Sequence, residues 1–218
     1  LMGPGRTPGH GVFRGIKELK PGHWLRFDRR GITVRRYWAL ESRPHPDDFD
    51  VTTAKVRSLL EDTVERQLVA DVPVCTLLSG GLDSSAVTAF AAAVFRRKGR
   101  GPVRTYSVDY VNSEHCFRPT EFEPSADGPW AERMAAYLGT EHRVVRIGVA
   151  ELADALRPAV QARDLPGMAD VDASLYLFSR AIKACDTVAL SGEAQTKSLA
   201  ATPGSAAKKV SRLPPFLR

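Results

Sequence analysis

The sequence has few of the features that mark exported, zinc-binding or membrane proteins. Its three cysteines, Cys75, Cys116 and Cys185, show no C-x-x-C spacing, which argues against a disulfide framework and against a zinc site. We therefore expect a reduced, cytoplasmic protein. No apolar run is long enough to cross a bilayer, and the first residues lack the apolar segment of a signal peptide. We expect no membrane partner.

Positive charge is in excess but is not concentrated in one place. The net charge is +6, and the lysines and arginines are spread along the chain without interleaved aromatic residues. We therefore expect no nucleic-acid partner, because a small anionic ligand would explain local positive charge equally well. The length of 218 residues and the 43% hydrophobic content allow the core of an α/β domain.

The most informative stretch is an apolar run that ends in two glycines and a hydroxyl-rich segment. Residues 74–78 predict a buried parallel strand, and the residues from Asp83 to Ser85 favour capping of a following helix. Gly80 and Gly81 permit a tight turn with positive backbone dihedrals. Such a turn directs several backbone N–H groups to one point, with a helix dipole behind them. The sequence therefore predicts an anion-binding loop.

This loop lacks the signatures of two common nucleotide-binding motifs. No Gly-Lys-Ser/Thr follows the glycines, so it is not a Walker A loop, and it is not the G-x-G-x-x-G of dinucleotide-binding folds. A loop without lysine needs charge compensation from elsewhere.

The rest of the chain alternates strands with helices, which predicts a parallel sheet with helices on both faces. Ligands bind such sheets outside the carboxyl ends of the strands. The candidate segments there are 78–85, 107–109 and 191–193, and Asp127, Asp164 and Asp172 lie in predicted loops nearby. The first predicted elements are a hairpin of strands 23–27 and 32–38 and a helix that begins at Thr52. A second helix follows the glycine loop, and three more are predicted at 129–138, 150–162 and 174–184. The remaining predicted strands are 103–108, 142–147 and 187–190.

Ser79-Gly80-Gly81-Leu82-Asp83-Ser84-Ser85 resembles the pyrophosphate loop of the N-type ATP pyrophosphatases, and in this form most of all that of the asparagine synthetase family. The resemblance implies an adenine nucleotide alpha hydrolase-like, PP-loop fold, with ATP and Mg²⁺ as cofactors. It places Asp83 at a Mg²⁺–pyrophosphate contact, Leu78 and Val108 against the adenosine, and Glu193 where a catalytic carboxylate handles the ammonia proton. The residues that it implies for ATP binding are Leu78, Ser79, Gly80, Gly81, Leu82, Asp83, Ser84, Ser85, Val108, Ser191 and Gly192.

The reaction that the resemblance implies is ATP-dependent amidation of aspartate to asparagine through a β-aspartyl-AMP intermediate. Ammonia, free or released from glutamine, would displace AMP. Two alternatives stay open. One is another PP-loop enzyme that adenylates a different carboxylate or a carbonyl, such as an NAD or GMP synthetase or a tRNA-modifying enzyme, and the other is an ATP-binding fragment without catalysis. We expect small-molecule partners, with a homo-oligomer an option for the full-length protein.

Three regions are expected along the chain. Residues 1–43 resemble the last hairpin of the family's glutaminase domain, although the N-terminal cysteine nucleophile of that domain is not in this chain. Residues 44–193 correspond to part of the synthetase domain. Residues 194–218 depart from the family pattern and predict a disordered tail. We therefore expect a truncated or frameshifted fragment that is itself inactive, is marginally stable and leaves apolar faces exposed.

Overall fold

The structure is a computed structural model that describes residues 8–113, 117–118, 125–164 and 167–192. The N-terminal part is a two-stranded antiparallel hairpin, and the remainder alternates helices with parallel strands. The elements are β1 (His23–Asp28), β2 (Gly31–Arg36), α1 (Phe49–Gln67), β3 (Val74–Leu77), α2 (Leu82–Arg97), β4 (Arg104–Tyr110), α3 (Gly128–Leu138), β5 (Glu141–Ile147), α4 (Val149–Arg163), α5 (Ala169–Lys183) and β6 (Val188–Leu190).

The four later strands form one parallel sheet in the order β5-β4-β3-β6. Thr76 of β3 stands opposite Thr105 of β4 on one side and Leu190 of β6 on the other. Because β3 lies between β4 and β6, the loop that follows it leaves the sheet with a strand end on either side. That arrangement is the one in which parallel sheets bind ligands.

Helices cover both faces of this sheet, as the sequence predicted. Side chains of β3 alternate, so that Val74 packs with α1 and α2, whereas Cys75 packs with Phe178 and Ile182 of α5. The α1–α2 face holds the larger apolar cluster, and α4 packs beside α5 on the opposite face. A strand buried on both faces has a largely apolar sequence, which is why residues 74–78 predicted a buried strand.

Several element bounds differ from the sequence predictions. β4 continues to Tyr110 because it pairs with β5 along its whole length, and α5 begins at Ala169 instead of Ser174. The predicted apolar side of α1 is only partly buried. Val64 and Leu68 are in the core, but Leu59 is 66% exposed, because α1 contacts α2 through its C-terminal part.

The predicted hairpin is confirmed. Its register sets Leu25 opposite Val34 and Phe27 opposite Ile32, so these four apolar side chains share one face. All four are exposed, with Phe27 at 76% and Ile32 at 67%. In the part of the chain that the structure describes, no helix is both long and apolar enough to cross a membrane.

Candidate functional site

A cleft of about 460 Å³ opens at the carboxyl ends of β3, β4 and β6. It brings together three stretches that lie far apart in the sequence: the loop after β3, residues 107–108, and residues 191–192. The predicted site residues that line it are Leu78, Ser79, Gly81, Leu82, Asp83, Ser84, Val108, Ser191 and Gly192.

The two glycines of the loop have different roles. Gly80 has φ of +83°, and a Cβ there would lie 2.6 Å from the Ala131 backbone nitrogen and 2.6 Å from Trp130 Cβ. Both the backbone conformation and the approach of α3 therefore require glycine. Gly81 has φ of −70°, and among the described residues a Cβ there would meet only Ser79 Oγ at 3.5 Å. The prediction of positive dihedrals at both positions is thus wrong for Gly81.

Gly81, and not Gly80, lines the cleft. Gly81 is also the N-cap of α2, so the residues from Asp83 to Ser85 lie within the first turns of the helix. The expectation that one of these three residues caps the helix is wrong, because Gly81 holds the N-cap position. Ser85 is buried in the helix, and its N–H donates to the Gly81 carbonyl at 3.0 Å. The cleft therefore faces an acidic and hydroxyl-bearing helix start.

Hydroxyl groups hold the loop in shape. Ser84 Oγ donates to the Gly81 carbonyl at 3.1 Å and accepts the Ser79 N–H at 3.3 Å. The Ser79 and Ser84 hydroxyl oxygens are 3.0 Å apart. These bonds close the turn between β3 and α2, so that the first-turn N–H groups of α2 point towards the cleft end of the helix.

The end of β6 approaches the start of α2 very closely. A Cβ on Gly192 would lie 2.9 Å from the carbonyl carbon of Asp83 and 2.9 Å from the Ser84 nitrogen. This contact requires a residue without a side chain, which is why Ser191 and Gly192 reach the same cleft as the loop. Glu193, the predicted catalytic carboxylate, lies outside the described residues.

Three residues of the cleft wall were missed by sequence reasoning: Leu77, Tyr106 and Phe178. Tyr106 is buried, and its hydroxyl donates to Asp186 Oδ2 at 2.8 Å. Burial, together with this hydrogen bond, raises the pKa of Tyr106. Arg104 donates to Asp186 Oδ1 at 2.7 and 3.1 Å. The charge of this buried carboxylate is therefore compensated beneath the cleft.

Ser107 contacts a histidine that sequence reasoning placed only in a strand. His142 Nε2 lies 3.1 Å from Ser107 Oγ, and His142 Nδ1 lies 2.9 Å from Thr105 Oγ1. Burial lowers the pKa of His142, with a smaller opposing effect of Glu132. The imidazole is therefore neutral at physiological pH. Alternation places Thr105 and Ser107 on one face of β4, but only the register of β4 with β5 brings His142 to them.

The acids that the sequence placed in predicted loops near the site do not line the cleft; they are Asp127, Asp164 and Asp172. Asp172 lies in α5 and forms an ion pair with Arg163. Asp164 ends α4 in the left-handed conformation, and Asp127 precedes α3 as its N-cap. Each of them therefore has a local structural setting of its own. Within the described ranges, no group of three or more His, Cys, Asp and Glu side chains could hold a metal.

The sequence is similar to those of known proteins. The family model described as asparagine synthase matches residues 55–194. Asparagine synthetase [glutamine-hydrolyzing] 3 of Bacillus subtilis is 54% identical over 88% of this chain, and asparagine synthetase B [glutamine-hydrolyzing] of Escherichia coli is 34% identical over 84%. Amidase chyE of Penicillium rubens is 31% identical over 71%. The chain spans 31%, 33% and 24% of the lengths of these three relatives.

Proposed function

Because the chain belongs to the asparagine synthase family, we propose that it is the ATP-binding part of a glutamine-hydrolysing asparagine synthetase. The whole protein would convert aspartate to asparagine with ATP, and would use ammonia that is free or released from glutamine. The observation that carries this proposal is the cleft position of Gly81, a glycine that neither its φ nor its neighbours require. A ligand that approaches the backbone closely supplies a reason for it.

The loop suits the pyrophosphate end of ATP. The first turn of α2 offers backbone N–H groups and the positive end of the helix dipole, and Ser79 and Ser84 add hydroxyls at the cleft surface. Without a Cβ at Gly81, a phosphate oxygen can reach the backbone. The loop would stabilise the charge that develops on the leaving pyrophosphate.

Asp83 would hold Mg²⁺. A carboxylate in the first turn of α2 lies beside the place where an anion would bind, and a divalent cation bridging the two relieves their repulsion. Mg²⁺ in nucleotide sites is commonly held by one or two carboxylates together with phosphate oxygens and water. The ion would also neutralise charge on the phosphates during the reaction.

The nucleoside half would extend from the loop towards β4 and β6. Leu78 and Val108 provide apolar surface there, and Ser191 with Gly192 closes the other side of the cleft. We propose that Glu193, which follows directly, accepts a proton from the attacking ammonia. We also propose that residues 1–43 belong to a glutaminase domain and residues 44–193 to the synthetase domain.

The chemistry has two displacement steps. A carboxylate oxygen of aspartate attacks the α-phosphorus, and the bond to pyrophosphate breaks. Ammonia then attacks the acyl carbon of β-aspartyl-AMP, AMP leaves, and the nitrogen loses a proton. The residues of the cleft position the nucleotide and compensate charge, which are the effects that dominate phosphoryl-centred reactions.

The test is calorimetric titration of the chain with Mg·ATP. We expect D83A to weaken binding about tenfold or more, the effect of losing a charged contact of about 1.5–3 kcal/mol. D164N is the matched control, since Asn tolerates the left-handed conformation of residue 164. Equal affinities in the wild type and D83A would contradict the metal assignment. Aspartate-dependent pyrophosphate release by the full-length protein tests the reaction.

One alternative function is amidation of a different carboxylate. It is considered because one relative, at 31% identity, has a name that refers to amide chemistry without naming asparagine. Pyrophosphate release by the full-length protein, measured with a panel of amino acids and other carboxylates, separates the two. Release that needs a carboxylate other than aspartate would support the alternative.

A further inference from the structure

A series of side-chain hydrogen bonds runs from the interior between β4 and β5 to the wall of the cleft. Thr140 Oγ1 lies 3.1 Å from Thr105 Oγ1, which lies 2.9 Å from His142 Nδ1. The other ring nitrogen, Nε2, lies 3.1 Å from Ser107 Oγ. Thr105 is fully buried, whereas Ser107 is 8% exposed and lines the cleft. The series therefore ends at a residue of the cleft wall.

His142 restricts the orientation of the Ser107 hydroxyl. A neutral imidazole has one donor and one acceptor nitrogen, and the partner of each nitrogen selects the tautomer. If Nε2 accepts, the Ser107 O–H points at the ring and its lone pairs face the cleft. If Nε2–H donates, the Ser107 O–H is left for a ligand. In the first state the ring fixes the direction of the O–H, and in the second Nε2–H engages one lone pair of Ser107 Oγ, so the tautomer of His142 decides whether the hydroxyl offers a ligand an acceptor or a donor.

The position of Ser107 indicates which part of a nucleotide it would contact. The anion-binding N–H groups lie at the start of α2, which follows β3. Ser107 lies on the neighbouring strand, next to Val108, and both line the cleft. With the phosphates at the loop, the part of the ligand over β4 is the nucleoside.

We propose that Ser107 Oγ forms a hydrogen bond with the nucleoside half of the bound nucleotide, and that His142 is the positioning residue that orients this hydroxyl. The inference rests on the proposed binding of ATP. A purely structural role for the same series is the competing explanation, because Thr105 needs partners in the interior. A structural role affects folding, whereas an orienting role affects ligand affinity.

Three variants of the chain separate these roles. S107A removes the ligand-facing hydroxyl. H142N keeps an amide near the position of Nδ1, and with it the Thr105 contact, but cannot reach Ser107. H142Q places its amide near the position of Nε2 and restores the Ser107 contact. Each variant is titrated with Mg·ATP and with Mg·pyrophosphate, and its thermal unfolding is recorded.

We expect S107A and H142N each to weaken Mg·ATP binding about threefold to tenfold, the effect of one hydrogen bond. Their double variant should be no weaker than either single one, since both remove the same interaction. H142Q should recover most of the affinity. Mg·pyrophosphate should bind all variants as it binds the wild type, because it lacks the nucleoside.

The outcomes distinguish this inference from the function on which it rests. A wild-type chain that binds neither Mg·ATP nor Mg·pyrophosphate would overturn the proposed function and this inference with it. Wild-type binding of Mg·ATP with unchanged affinity in S107A would overturn the inference alone. So would an equal loss of affinity for both ligands, which would mean that the substitutions disturb the loop.

Discussion

The substitution G80A tests whether the packing of α3 against the loop holds the cleft in shape. Gly80 has φ of +83°, and an added Cβ would lie 2.6 Å from both the Ala131 nitrogen and Trp130 Cβ. An L-residue in the left-handed region costs roughly 1–2 kcal/mol. Forcing one extra carbon into a packed site costs roughly 1–3 kcal/mol more. We therefore expect a loss of about 2–5 kcal/mol in the free energy of unfolding.

The neighbouring substitution G81A is the matched control. It adds the same methyl group one residue later, where φ is −70° and, within the described part of the chain, the only contact is Ser79 Oγ at 3.5 Å. Replacing Gly by Ala at an N-cap costs about 1 kcal/mol or less. The two variants should therefore differ by at least about 1–4 kcal/mol.

The assay is urea unfolding followed by circular dichroism, with the free energy taken from the midpoint and the slope. Mg·ATP titration of the same variants should show the larger loss of affinity in G81A. G81A should stay folded but bind Mg·ATP at least about tenfold more weakly, because its methyl group occupies the space of a phosphate oxygen. If G80A proves as stable as G81A, the fold does not depend on the glycine contact, and the division of roles between the two glycines is wrong.

Three further predictions concern buried and titratable groups. D186N should lower the free energy of unfolding by about 3 kcal/mol in urea titration, because it leaves Arg104 without its buried partner; unchanged stability would show that solvent replaces the ion pair. Iodoacetamide should label exposed Cys185 rapidly and buried Cys75 only on unfolding, since burial raises the pKa of Cys75 to about 12; peptide mass spectrometry reads this, and early Cys75 labelling would contradict it. Because the pKa of His142 is lowered in the folded chain, the unfolded chain binds this proton at a higher pH than the folded chain does. The contribution of neutral His142 to stability is therefore present above about pH 6.5 and is lost as the pH falls further. The slope of unfolding free energy against pH should be flatter in H142Q than in the wild type, and equal slopes would refute the assignment.

Local sequence was sufficient to predict those strands, turns and helix ends whose structure depends only on residues close together in the chain. Residues 74–78 are apolar except for Thr76 because β3 is buried on both faces, and the glycines that follow permit a tight turn into α2. The helix at Gly128–Leu138 ends at Gly139 with φ of +67°, as a glycine C-cap predicts. The motif itself indicated an anion site, because backbone N–H groups at a helix start do not depend on distant residues.

Tertiary structure alone decided which of the candidate residues meet. Gly80 and Gly81 are equivalent in the sequence, and only the approach of α3 makes the first one indispensable to the fold. Likewise, α1 has an apolar period along its length, but a helix buries only the side that a neighbour covers, so Leu59 stays exposed. The contact between Ser107 and His142 depends on the parallel register of β4 with β5. Pairing of this kind joins residues 35 positions apart, and no local pattern records it, because register is set by the packing of the whole sheet.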